Sequence, residues 1–164
     1  MREIVKKYTH NSNGEELVFQ VHKMNALAGS YMIKFVAEKL IPLIDGFQSI
    51  FVEADIDTEE KAKEAAQKRT DAIMEVIPKA LASISESELY SFQKQCLNNV
   101  EMMLPAGWQK VMTGDAFGVE EVEYDPILAL ILCYDVIEFN FSGFFAGVNS
   151  RPLLPRQNTS SQNV

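Results

Sequence analysis

The residues best equipped for chemistry in this chain are few and scattered: two histidines, two cysteines and one dense run of carboxylates. The run, Asp55-x-Asp57-x-Glu59-Glu60, alternates acids as a calcium loop does. An EF-hand needs glycine at the sixth place and glutamate at the twelfth, and these positions are Glu60 and Ala66,. Acids gathered at the positive end of a helix dipole explain the run better. His10 sits at a turn and His22 at a strand end, without cysteines or paired carboxylates beside them, so neither a metal site nor an acid–base pair is expected,. Gly107, Gly114 and Gly118 form neither a GxGxxG nor a Walker-type pattern, and GxSxG and HExxH do not occur,. Cys96 and Cys133 lie in apolar helical context without the close spacing of a zinc or redox pair, which predicts two buried free thiols,. No catalytic residue, cofactor or metal is expected, and the protein is not expected to be an enzyme.

The elements that position these residues follow from periodicity. Residues 2–22 read as a β-hairpin. Ile4, Val5 and Tyr8 form one short run, Leu17–Val21 another, and Asn11-Ser-Asn-Gly14 supplies turn chemistry between them,. Met24–Ile41 reads as an amphipathic helix, with Met24, Leu27, Ala28, Tyr31, Phe35, Val36 and Leu40 on the apolar face,. Pro42 and Asp45-Gly46 end it,. Glu53–Thr70 reads as an exposed helix start or an acidic loop, and Pro78 as an interruption before Ala80-Leu-Ala82. Ser85-x-x-Glu88 is a capping box, opening a helix that carries Leu89, Tyr90, Phe92, Cys96, Leu97 and Val100,.

Residues 101–124 read as a connection with little regular structure, in which Trp108 and Val111-Met112 suit a short strand or a helix end. Asp125-Pro126 opens the most apolar stretch, which reads as the central core helix,. Ile127–Tyr134 carries no charge, so burial on every face is expected there, and Ser142-Gly143 is the expected stop,. Its apolar run is too short for the roughly 20 residues that a membrane span requires.

Bulk properties narrow the function. A length of 164 residues fits one domain with a real core, and 47% hydrophobic residues argue against wholesale disorder,. A net charge of −8 argues against nucleic acid or an anionic membrane as partner,. The segment MREIVKKYTHNSNG has no apolar core of a signal peptide, so a reducing cytoplasm is expected,. Methionines such as Met24, Met32, Met74, Met102, Met103 and Met112 suit either core filling or an adaptable docking surface,.

Two stretches carry a resemblance. Lys23-Met-Asn-Ala-Leu27 leads from a hairpin into an amphipathic helix, and Val136-Ile-Glu-Phe-Asn-Phe-Ser-Gly-Phe-Phe145 closes the last one. Together, with Leu89–Val100 as a central helix, they resemble the tail assembly chaperones of long-tailed bacteriophages. The resemblance implies a non-enzymatic protein of the infected cell's cytoplasm that binds the tape measure protein, keeps it soluble for tail-tube assembly, and is absent from the virion. It also implies a ribosomal frameshift giving a longer product, through which the major tail protein is reached, with divergence falling after Asn149.

The fold class expected is mostly α (α+β): one domain over 1–148 of about four to five helices with a small N-terminal hairpin, and a disordered tail over 149–164. Partner contacts are expected at Met24, Leu27, Tyr31, Phe139, Phe144 and Phe145, and a homo-oligomer is left open. The competing readings are a tail or connector subunit retained in the particle and, more distantly, a small metal-dependent enzyme using the acidic middle.

Overall fold

The computed structural model describes residues 2–40 and 59–148. The Pro42 and Asp45-Gly46 break, most of the acidic run and the tail from Asn149 lie outside these residues.

Strand β1 (Val5–Ser12) and strand β2 (Glu15–His22) form an antiparallel hairpin in the register Tyr8↔Phe19. Its two-residue turn is Asn13-Gly14, both at positive φ (52° and 81°), the pairing that matches strand twist best,. The hairpin does not stand alone. Strand β3 (Val100–Leu104) pairs with β2, and β4 (Gly107–Lys110) pairs with β3, giving an antiparallel sheet in the order β1-β2-β3-β4. Strands β5 (Met112–Thr113) and β6 (Ala116–Phe117) make a second, two-stranded sheet.

This corrects the mostly helical fold class with only a small hairpin: the protein is α+β with a four-stranded sheet. Residues 101–124 are therefore not an irregular connection. A two-stranded hairpin is marginal in water, and two further strands extend the face that covers the core. Val100 belongs to β3, not to the preceding helix.

Helix α1 (Ala26–Phe35) starts at Asn25, whose side chain accepts from Ala28 N–H at 2.9 Å, and runs on into a π-helical stretch, Val36–Leu40. Helix α2 (Glu59–Ser83) contains Pro78 and continues through it, so the expected interruption is corrected too. Proline forfeits its own amide bond and crowds the carbonyl four residues back, and here both costs fall in the final turns,. Helix α3 (Glu86–Leu97) begins with the capping box: Ser85 Oγ accepts from Glu88 N–H at 3.3 Å and donates to its carboxylate at 2.9 Å. That bond and the nearby Lys39 hold the Glu88 carboxyl below the usual range.

After a single turn, α4 (Glu120–Glu123), comes α5 (Pro126–Val148). Asp125 caps it by accepting from Leu128 N–H at 3.0 Å. It does not stop at Ser142-Gly143, because a glycine stop requires the left-handed conformation and Gly143 is not among the positive-φ glycines,. Helix α5 packs on α3 and on the inner face of the sheet. Leu132 and Val136 of α5, Phe19, Val21 and Val100 of the sheet, and Met32 of α1 are all fully buried at the centre.

Candidate functional site

Alternation along β1 sends Tyr8, His10 and Ser12 to the inner face, where α5 lies,. A polar seam results. Lys6 Nζ is 4.0 Å from Glu138, Tyr8 donates to the Asp135 carbonyl at 3.5 Å, His10 Nε2 is 2.5 Å from the Asp135 carboxylate, and Ser12 donates to Asp125 at 2.8 Å. Asp135 and Glu138 are both buried, at 2% and 8% exposure. The opposite face of the last helix is occupied by α3, where Cys96 and Cys133 are both buried and free. Burial pushes the Cys96 thiol well above its ordinary range, with the neighbouring Cys133 adding to the effect,.

The outer face of the sheet holds the second histidine. His22 Nε2 is 2.9 Å from Glu101, and Gln20 also donates to that carboxylate. The hydrogen bond from His22 is the largest of the effects that hold the Glu101 carboxyl below its usual range. The two histidine–carboxylate pairs are thus separated by the sheet. Lys7 Nζ reaches within 5.8 Å of the Trp108 ring, so long side chains partly roof this face. Among the described residues no group of three or more His, Cys, Asp or Glu is placed to hold a metal.

One consequence is measurable. A lowered carboxylate pKa adds stability above the unfolded value, and that stability is lost as pH falls through the folded value. In an NMR titration the Glu101 midpoint should lie below that of an ordinary glutamate and rise in His22→Ala. An unchanged midpoint would show that the pair does not form in solution.

The surface around the start of α1 has a different character. Because Asn25 fixes the helix start, Leu27 falls in the first turn on the outside, at 85% exposure, with Tyr31 one turn on at 44%. Lys23 N–H donates to the Ile4 carbonyl at 2.9 Å, which brings Ile4, 66% exposed, to the same end of the molecule. Met24 is half-buried against the core, and its N–H donates to Asn140 Oδ1 at 2.9 Å.

Of the residues expected to meet a partner, Leu27 and Tyr31 therefore share an open helix face. Phe139 is a core residue: its carbonyl accepts from Lys23 and its ring lies 4.1 Å from that ammonium. Burial of the Lys23 side chain in this corner lowers its pKa. Phe144 and Phe145 belong to α5 by their backbone, and their side chains lie outside the described residues. Ile4, Tyr124 and Ile127 were missed in the sequence; they are exposed at 66%, 78% and 52%. Ile127 heads an apolar run whose burial was expected throughout, and only the packing direction of the first turn reveals its exposure.

A search of curated proteins found no match, and a search of solved structures found none. The model of one protein family, described as phage tail assembly chaperone protein, TAC, matches residues 14–151. That span runs from the hairpin turn through the whole of α5 and covers most of the chain. The protein belongs to the phage tail assembly chaperone family.

Proposed function

We propose that this protein is a holdase for the tape measure protein, binding apolar helical segments of that client and keeping them soluble until the tail tube forms. The observation that carries the reading is the open face of α1, where Leu27 and Tyr31 stand exposed one turn apart. Exposed apolar side chains at helical spacing can take an amphipathic helix laid alongside them. A net charge of −8 keeps such complexes apart in solution,. The role is non-enzymatic, performed in the cytoplasm of the infected bacterium, and ends before the virion is complete. A longer, frameshifted product reaching the major tail protein belongs to the same proposal; a slippery heptamer near the stop codon is its signature.

The test is co-expression with the tape measure protein. Leu27→Asp combined with Tyr31→Asp should leave thermal stability within about 2 °C of wild type, since exposed positions change it little. The soluble, co-purifying client should fall at least tenfold. Undiminished capture by a folded double variant would place the client elsewhere. Mass spectrometry of purified particles separates a chaperone, which is missing, from a tail subunit, which is abundant.

A further inference from the structure

The two-residue turn fixes which main-chain groups of β1 face outward. Ser12 and Glu15 flank that turn as a hydrogen-bonded pair, so the bonded positions of β1 alternate back through His10, Tyr8 and Lys6,. The bond from Lys23 N–H to the Ile4 carbonyl continues the same alternation. The N–H and C=O groups of Val5, Lys7, Thr9 and Asn11 therefore point away from β2, and among the described residues no strand pairs with that edge. The opposite edge is shielded, because Gly118 lies against the Lys110 carbonyl of β4. Beneath the open edge runs one side of α5. Ile127, Ile131 and Tyr134 recur at four- and three-residue spacing and so lie in line,. Asp135 and Glu138 meet β1, while Leu132 and Val136 fill the core. The Ile127–Ile131–Tyr134 line follows the β1-facing positions on the side away from Leu132 and Val136, which places it just beyond the sheet edge. Ile127 is 52% exposed, and Ile131 and Tyr134 are half-buried. The Ser12–Asp125 bond sets exposed Glu15, Glu16, Glu121 and Glu123 at one end of this trough, and residues 111–150 contain no lysine or arginine to neutralise them.

We propose that the trough between the free edge of β1 and the Ile127–Ile131–Tyr134 side of α5 takes an extended segment of a partner protein as a fifth strand, antiparallel to β1, with alternate apolar side chains and a basic N-terminal end. Open N–H and C=O groups in a row select main chain in extended form. An added strand lies about 4.8 Å beyond its neighbour, and a helix with its side chains is roughly 10 Å across, so that strand covers the exposed side of α5. Every second side chain of the occupant then faces Ile127, Ile131 and Tyr134, which asks for apolar residues there. Strand β1 runs toward the acidic end, so an antiparallel occupant begins at that end, and basic residues at its start meet the glutamates. A second copy of β1 fits poorly, because it would turn Lys6, His10 and Ser12 onto the apolar line. The site is separate from the α1 face that carries the holdase reading.

Amide hydrogen exchange on the full chain tests it, the probe being a synthetic peptide of alternating threonine and valine headed by two lysines. Without peptide the amides of Lys7, Thr9 and Asn11 should exchange fast, and saturating peptide should slow them about tenfold or more. Methylating the threonine amides of the peptide, the ones that would face β1, should weaken binding about tenfold. Glutamates in place of the two lysines should weaken it by about as much. Thr9→Pro removes one outward donor at an edge position that tolerates proline, and should abolish binding. Ile127→Asp, at an exposed site, should also weaken binding about tenfold with the melting temperature within about 2 °C of wild type, and it serves if Thr9→Pro does not fold. The Leu27→Asp, Tyr31→Asp variant should bind the peptide as wild type does, which separates this site from the client face. Slow exchange at these amides in the free chain, protection that needs only a higher concentration of the chain itself, no protection by the peptide, or equal binding of the methylated or glutamate-headed peptide would overturn the proposal.

Discussion

His10→Ala should cost about 3 kcal/mol of folding stability, read as a lower urea midpoint with an unchanged slope. His10 Nε2 lies 2.5 Å from the Asp135 carboxylate, and Asp135 is 2% exposed. Removing the imidazole leaves that carboxylate in the core without its nearest donor, and water has little access to replace it. Breaking a buried pair by deleting one partner is costly for this reason, whereas replacing both members by apolar groups is often tolerated. His10→Leu combined with Asp135→Leu should therefore be less destabilised than either single change, and the double-mutant cycle should show strong coupling. A loss below about 1 kcal/mol in His10→Ala would mean that the seam does not hold β1 against α5. The seam matters because β1 is an edge strand: its remaining attachments are β2 on one side and the apolar contacts of Tyr8 beneath.

Gly118→Ala should be similarly damaging, lowering stability by about 3 kcal/mol, near the upper end for overpacking. A Cβ at this position would lie 2.3 Å from the Lys110 carbonyl oxygen and 3.0 Å from Gln109 Nε2. The first obstacle is backbone, so no rotamer change relieves it. Gly118 N–H also donates to the Val111 carbonyl at 2.8 Å, which folds the β5–β6 hairpin back on the end of β4. The hairpin turn is held from the other side by Asn98, which accepts from Gly114 N–H at 2.9 Å and donates to its carbonyl at 3.2 Å. Displacing residue 118 would strain both attachments and loosen Val119 and Val122, which are buried just beyond. Gly143→Ala is the control: nothing lies within 4 Å of its Cβ position, and it sits in a helix. That change should raise stability by about 0.5–1 kcal/mol through lower chain entropy. Equal melting temperatures for Gly118→Ala and wild type would show that the close approach of residue 118 to β4 is absent in solution.

What could be read without coordinates was local. Asn13-Gly14 made a turn because both residues tolerate positive φ. Ser85 with Glu88, and Asp125 before Pro126, marked helix starts because each side chain satisfies an amide within its own first turn,. The 3.6-residue spacing from Met24 to Leu40 signalled a helix there, though not that its last five residues, Val36–Leu40, are π-helical, and the closing aromatic segment supported the family resemblance that the model match over residues 14–151 bears out. On the candidate surface, Leu27 and Tyr31 were identified from the sequence and are exposed, although they were placed on the apolar face of that helix.

Everything that depended on a distant partner was decided by the tertiary structure. Strand β3 pairs with β2 from about 80 residues away, and strands as short as β5 and β6 carry too few residues for alternation to show,. Pro78 and Ser142-Gly143 disfavour helix locally, by about 3 kcal/mol for proline and about 1 kcal/mol for glycine, yet α2 and α5 continue through them. Asp135 and Glu138 look like surface residues because their type favours water. They are buried because β1 delivers Lys6 and His10 to the same face of α5, and a charged or polar group enters a core only where another element supplies its partner.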